Sequence, residues 1–218
     1  MNRRTLLAAL GIGIPAAGAL GWGLSEWMLA AKRDAAPSRS GAMQQLIGSP
    51  FALTDHKGRR VTDETFAGRV RLVFFGFTHC PDVCPTGLAY IAETLDGLTQ
   101  PEAAAVSPLF ISVDADRDKP DLLATYVAHF HPSLIGLSGS EAEVAQAAKA
   151  FRTYYRKVPT GGDAYVMEHT ASIYLIGPDG TLRGFLDTHE PVQTAVAKIR
   201  LALSDTPSGS AMTGERSS

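Results

Sequence analysis

The segment Val70–Phe77, VRLVFFGF, is interrupted only by Arg71 and Gly76. A strand with one wet face would alternate apolar and polar residues. An unbroken run instead needs cover on both faces, as for a central strand of an α/β sheet. A second such run, SPLFISVD, spans Ser107–Asp114. Between them, Pro85–Leu98 places Leu88, Ile91, Ala92 and Leu95 on one face of a helix. Strand, helix and strand make a βαβ unit with a right-handed crossover.

The rest of the chain supplies the flanking elements. FALTDHKGRRVT predicts a hairpin pairing Phe51–Leu53 with Arg60–Thr62 around Asp55–Gly58. Asp118–Phe130 is expected as a helix with Pro120 in its first turn, and Leu134–Leu137 as a short strand. Glu141–Ala150 follows as a helix capped by Ser140, and Arg152–Val158 alternates as another strand. ASIYLIGPDGTLRGFL is a hairpin around Gly177-Pro178-Asp179-Gly180, and Glu190–Leu203 is an amphipathic closing helix. A βαβ half followed by a ββα half around one sheet is a thioredoxin-like α/β fold. Its central mixed sheet is flanked by helices and carries an N-terminal β-hairpin extension.

This domain is expected over residues 46–204. Ahead of it, Arg3 and Arg4 precede about 21 residues without a charge, Thr5 to Ser25, long enough to span a bilayer. Residues 1–31 are either a membrane anchor, with Trp22 and Trp27 near the outer interface, or a removable signal cleaved near Ala17-Gly18-Ala19. The Arg3-Arg4 pair also resembles a twin-arginine export signal. Every one of these readings exports the domain, and the anchor is favoured. Residues 32–45 make a small, polar linker, and residues 205–218 a disordered tail by composition. With 22 acidic against 20 basic residues and no basic stripe, the chain carries no footprint for nucleic acid.

The only two cysteines, Cys80 and Cys84, lie in FGFTHCPDVCPTGL, at the end of the first buried strand. A disulfide between them would close so short a loop that it would constrain the unfolded chain little. A domain of about 160 residues, burying roughly 70% of its unfolded surface, needs no such staple. Chemistry is therefore the better reason for the pair. A following helix N-terminus favours thiolate, the form that attacks disulfides and binds metals, so a redox pair and a metal clamp both remain open. If the loop takes a helical turn, the i, i+4 spacing puts both sulfurs on one face.

A metal would need a further ligand, and there are six histidines. His79 adjoins Cys80 but should face away from it. His56, His129, His131 and His189 suit solvated or helix-capping roles. His169, in AYVMEHTASIYL, precedes the hairpin strand where thioredoxins place a cis-proline beside the active cysteine, and no proline stands there. Cys80, Cys84 and His169 are thus candidates for an S,S,N set. Three such ligands with an open position suit Cu(I) or a catalytic zinc, and an oxidising compartment favours copper. Asp114, Asp116 and Asp118 mimic the start of a calcium loop. Lys119 and Thr125 replace the glycine and glutamate such a loop requires, so an ordinary strand-to-helix loop is expected.

GFTHCPDVCPTGL, SVDADRD and EHTASIYLIGPDG, in this order, closely resemble the SCO/SenC family. These are membrane-anchored, thioredoxin-like copper proteins of cytochrome c oxidase assembly. The resemblance spans residues 46–204 and extends to the N-terminal apolar segment. It implies copper, as Cu(I) or Cu(II), on Cys80, Cys84 and His169, with Cys80 and Cys84 also a redox-active disulfide pair. Asp114 falls on the family's S-V-D aspartate, in an outer-sphere or docking role. The implied partners are the copper-bearing oxidase subunit and other copper chaperones or thiol reductants. The implied location is the cytoplasmic membrane, with the domain facing the periplasm. Ala115 departs from the family's usual proline, and Glu168 from its common aspartate. A metal-free thiol–disulfide oxidoreductase is the rival reading.

Overall fold

The computed structural model describes residues 47–204, apart from Ser49 and Asp163. The expected anchor or signal, the linker and the C-terminal tail lie outside the described residues. No helix among the described residues is long and apolar enough to cross a membrane.

The run Val70–Gly76 forms β3, buried at all seven positions. It pairs in parallel with β4, Val106–Ser112, from Val70 opposite Val106 to Gly76 opposite Ser112. The helix α1, Val83–Asp96, connects them and buries Leu88, Ile91 and Leu95. A short helix α2, Gln100–Ala104, follows; its capping box on Thr99 and Glu102 was not anticipated from the sequence. Helix α3, Pro120–Phe130, begins at its proline, where the ring removes no intrahelical hydrogen bond. It leads to β5, Ile135–Ser138, parallel to β4.

The N-terminal hairpin joins the same sheet. Its strands β1, Ala52–Asp55, and β2, Arg60–Thr62, are antiparallel, and β1 also pairs antiparallel with β5. His56 Nδ1 accepts the Gly136 N–H at 3.0 Å, so this histidine ties the hairpin to the strand beside it. Helix α4, Glu141–Ala150, has a closed capping box: Ser140 Oγ accepts from the Glu143 N–H, and the Glu143 carboxylate accepts from the Ser140 N–H. The later hairpin, β8 (Ile173–Ile176) and β9 (Leu182–Leu186), completes the order β2-β1-β5-β4-β3-β8-β9. The closing helix α5 spans Val192–Ser204. The mixed sheet and flanking helices make the thioredoxin-like α/β fold expected from the sequence.

One element departs from expectation. The strand expected at Arg152–Val158 forms as β6, Tyr155–Gly161, and it leaves the main sheet to pair with β7, Ala164–His169. Arg152, at φ +53°, turns the chain out of α4 in a left-handed cap. Most side chains of β6 are exposed, so its alternation reports a ribbon rather than a covered sheet.

An aromatic cluster fills the core between α4 and the sheet. Phe75 meets Phe151 edge-on at 5.3 Å between ring centroids, and Phe151 meets Tyr174 at 5.3 Å. All three rings are buried. Phe75→Ala should therefore cost about 3–5 kcal/mol, seen as a fall in the urea midpoint with an unchanged m-value.

Candidate metal centre

The cysteine loop hangs between the end of β3 and the start of α1. The Cys80 N–H donates to the Phe77 carbonyl at 3.2 Å, placing Cys80 in a turn ahead of the helix. Helix α1 starts at Val83, two residues before the expected Pro85, so Cys84 lies in its first turn. Turn geometry, rather than a shared helical face, brings the two cysteines together. Both thiols are free, Cys84 fully buried and Cys80 nearly so.

Glycine makes room for the inner sulfur. A Cβ on Gly76 would lie 2.7 Å from Cys84 Sγ and 2.6 Å from the Phe110 ring. One turn into α1, a Cβ on Gly87 would lie 2.7 Å from the Phe74 ring.

Asp118 anchors the outer part of the loop. Its buried carboxylate accepts from the Thr78 N–H at 2.9 Å, the Thr78 hydroxyl at 2.6 Å and the Ser112 hydroxyl at 2.6 Å. The sequence pattern did not single out this residue. Three alternate aspartates carry no mark of which one turns back toward the cysteines.

His169 is the last residue of β7 rather than part of a loop, held opposite Tyr155 on β6. Its Nδ1 lies 3.1 Å from the Thr170 carbonyl, which can only accept, so Nδ1 carries the proton. Nε2 is left with its lone pair, 3.3 Å from Cys84 Sγ. Phe77 and Phe74 meet the imidazole edge-on, at 5.8 and 6.4 Å between centroids. Burial lowers the pKa of His169, keeping the ring neutral. Burial pushes the Cys84 thiol strongly up, and the neighbouring Cys80 adds to this. Burial thus favours the thiol at Cys84, rather than the thiolate expected beside a helix N-terminus. Cys84 stays a thiol whose S–H can donate to Nε2.

One ligand atom each from Cys80, Cys84 and His169 lies within 4.8 Å of the others. Cys80 and His169 border an open groove of about 400 Å³ that also includes Phe77, His79 and Pro81, with Cys84 buried behind them. Two soft sulfurs and a correctly tautomerised imidazole suit a thiophilic ion such as copper.

Asp114 sits apart from the sulfurs, between the sheet and the β6–β7 ribbon. Its carboxylate accepts from the Tyr165 hydroxyl at 2.8 Å and from Arg117 Nε. The Arg117 guanidinium lies 3.9 Å from the Tyr165 ring centroid and donates to the Tyr165 carbonyl at 3.2 Å. Asp116 pairs with Lys157 of β6 at 2.8 Å. The three aspartates thus serve separate partners rather than a shared cation, and two of them fasten the ribbon that carries His169.

Two substitutions probe this construction. Gly76→Ala should cost about 1–3 kcal/mol by overpacking, and should change the alkylation rate of Cys84 measured by mass spectrometry. Tyr165→Phe removes one hydrogen bond to a buried carboxylate. It should speed amide exchange across residues 155–169 by about tenfold, corresponding to roughly 1.4 kcal/mol, while leaving β3 and β4 protected.

A family model described as SCO1/SenC matches residues 39–204. The human mitochondrial SCO1 homolog is 46% identical over 147 residues, which is 65% of this chain and 47% of that protein. The chain therefore spans about half the length of that relative. The structure of Bradyrhizobium japonicum ScoI with copper bound is 44% identical, with a TM-score of 0.68, over 72% of this chain and 99% of that one. BsSco, described as having a disulfide switch and as a member of the Sco family of cytochrome c oxidase assembly proteins, is 28% identical, with a TM-score of 0.59. That match covers 73% of this chain and 94% of that one. A family match over most of the chain, on a shared fold, gives one conclusion: this chain belongs to the SCO1/SenC family.

Proposed function

We propose that this chain is a copper metallochaperone. It binds copper through Cys80 Sγ, Cys84 Sγ and His169 Nε2 and passes it to the copper-bearing subunit of cytochrome c oxidase during assembly. The observation that carries this reading is the closeness of the three donor atoms, within 4.8 Å of one another. The copper held by the Bradyrhizobium relative and the oxidase-assembly family of BsSco support it.

The chemistry follows from the site. A thiol as buried as Cys84 is costly to ionise alone, and the cation supplies the charge that stabilises its thiolate. His169 already presents an unprotonated nitrogen. The groove leaves one side of the cargo open to ligands from a partner. Copper can then move by ligand exchange, each new bond forming as an old one breaks.

The neighbouring free thiols also favour a second role. With a disulfide on a partner as acceptor, Cys80 and Cys84 can give up two electrons and two protons. They form a disulfide while the acceptor becomes two thiols; with copper bound, the thiolates give up the two electrons and release the ion, and solvent supplies the acceptor's two protons. Such a step would prepare the cysteines of the recipient, and it is the rival reading if no metal is involved. Export through residues 1–31, retained as an anchor in the cytoplasmic membrane, would present the domain of residues 46–204 to the periplasm. The charge-free apolar segment and the mitochondrial location of the human relative support that placement.

Cys80→Ser, Cys84→Ser and His169→Ala should each weaken copper binding by more than about 100-fold, the upper range for outer-sphere substitutions. Competition with a copper chelator measures this on the reduced protein. Unchanged affinity in any of the three would remove that residue from the ligand set. A metal-free reductase would instead keep full thiol–disulfide turnover in His169→Ala.

The pH dependence has a definite sign. The Cys84 pKa is raised, so the thiol holds its proton near neutrality and copper must displace it. The His169 pKa is lowered, so the imidazole needs no deprotonation there. Affinity should rise by about tenfold per pH unit for each proton displaced, measured between about pH 6 and 8.

A further inference from the structure

His79 has no role in the three-atom donor set, yet it borders the same groove as Cys80 and His169. Its protonation pattern follows from its partners. The Thr78 hydroxyl lies 2.6 Å from Asp118 Oδ1, and a carboxylate can only accept, so the single hydroxyl proton points at Asp118. The same hydroxyl oxygen lies 3.0 Å from His79 Nδ1. With its proton already committed, that oxygen can only accept, and Nδ1 must carry the hydrogen. His79 Nε2 is therefore the unprotonated nitrogen, on a side chain 51% exposed. A carboxylate, acting through a hydroxyl, orients this imidazole as outer-sphere partners orient metal-binding histidines. Hydrogen bonds to Thr78 and to Thr170 thus leave the two histidines of the groove in the same neutral tautomer, with the hydrogen on Nδ1 and the lone pair on Nε2.

Burial grades the donors from inside to outside. Cys84 has no exposure, Cys80 is 8% exposed, and His79 is half-exposed at the rim. A copper ion arriving from a carrier would meet the rim before it could reach the floor.

We infer that His79 is a relay ligand: it takes copper at the rim of the groove and passes it to Cys80, Cys84 and His169. The inference rests on the copper-binding reading above. In the relay step, the His79 Nε2 lone pair forms a bond to copper as a bond from the carrier breaks. A thiol of the inner set then gives its proton to solvent as its sulfur bonds to copper and the bond from the imidazole breaks. No electron is transferred. Asp118 and Thr78 are positioning residues for this ligand.

The test is anaerobic loading of the reduced full-length chain with the Cu(I)–glutathione complex. Stopped-flow absorbance follows the thiolate-to-copper band in the near ultraviolet, and chelator competition reads the end point. His79→Ala should load about tenfold more slowly, within the range over which association rates vary among variants of one interface. Its end-point stoichiometry and affinity should match wild type, because the inner donors are intact. Thr78→Val keeps the backbone N–H that Asp118 holds but loses the relay, and should be slowed by a smaller factor. His189→Ala, an exposed histidine away from the groove, should load at the wild-type rate. A loading rate for His79→Ala within twofold of wild type would overturn the relay. So would an altered end-point affinity, which would make His79 a resident ligand, or equal slowing in His189→Ala. Absence of the band in wild type would instead remove the copper reading itself.

Discussion

The candidate metal centre depends on how closely α1 packs onto the end of β3. Cys84 Sγ occupies space that a Cβ on Gly76 would otherwise fill, and the Phe74 ring occupies the corresponding space at Gly87. A central strand covered on both faces accepts no solvent, so the sulfur at its end is desolvated as a consequence of the fold. Everything else at the site is arranged around that fixed, buried atom. The turn at Cys80 brings the second sulfur over it, and β7 brings the imidazole within 3.3 Å.

Desolvation raises the pKa of Cys84 and the backbone hydrogen bond at Phe77 lowers it, and desolvation prevails. A thioredoxin-type thiol gains reactivity from being ionised near neutral pH. A thiol held up in pKa is a poor spontaneous nucleophile, but it becomes a strong ligand once a cation supplies compensating charge. The balance favours an inner thiol, Cys84, that is quiet until metal arrives. His169 contributes to the same balance: its burial keeps the ring neutral, and its Nδ1 is committed to the Thr170 carbonyl.

Legibility in the sequence followed the strength of the local signal. The buried runs of β3 and β4 and the Gly-Pro-Asp-Gly hairpin were visible because long apolar stretches and turn residues have few alternatives. His169 could be singled out because a proline was missing where the fold would place one. The β6–β7 ribbon was only half visible. Its first strand alternates like a sheet strand, and nothing in Arg152–Val158 says that a left-handed Arg152 turns it away from the sheet. Asp118 was invisible as an anchor, since its partners Thr78 and Ser112 come from two other segments. Side-chain pairings across distant segments leave no period in a sequence.

The two supports of the centre differ in kind, and the difference bears on how cargo could leave. Both sulfurs stand on the main sheet's own machinery, a buried strand, a helix start and the Asp118 anchor. The imidazole stands on a two-stranded ribbon held by Asp114, Arg117, Tyr165 and the Lys157–Asp116 pair. Isolated two-stranded ribbons are marginal in water, so those side chains, with buried Met167 and the packing of His169 on Phe74 and Phe77, decide how firmly His169 is held. Exposed ion pairs contribute little, which leaves the buried Asp114 carboxylate and the stacked Arg117 as the main fastening. A site with two donors on rigid structure and one on a lightly fastened arm can loosen at a single ligand without unfolding. In the copper transfer proposed above, that asymmetry makes the imidazole the ligand expected to loosen first, with the two sulfurs holding the ion until a partner's ligands arrive.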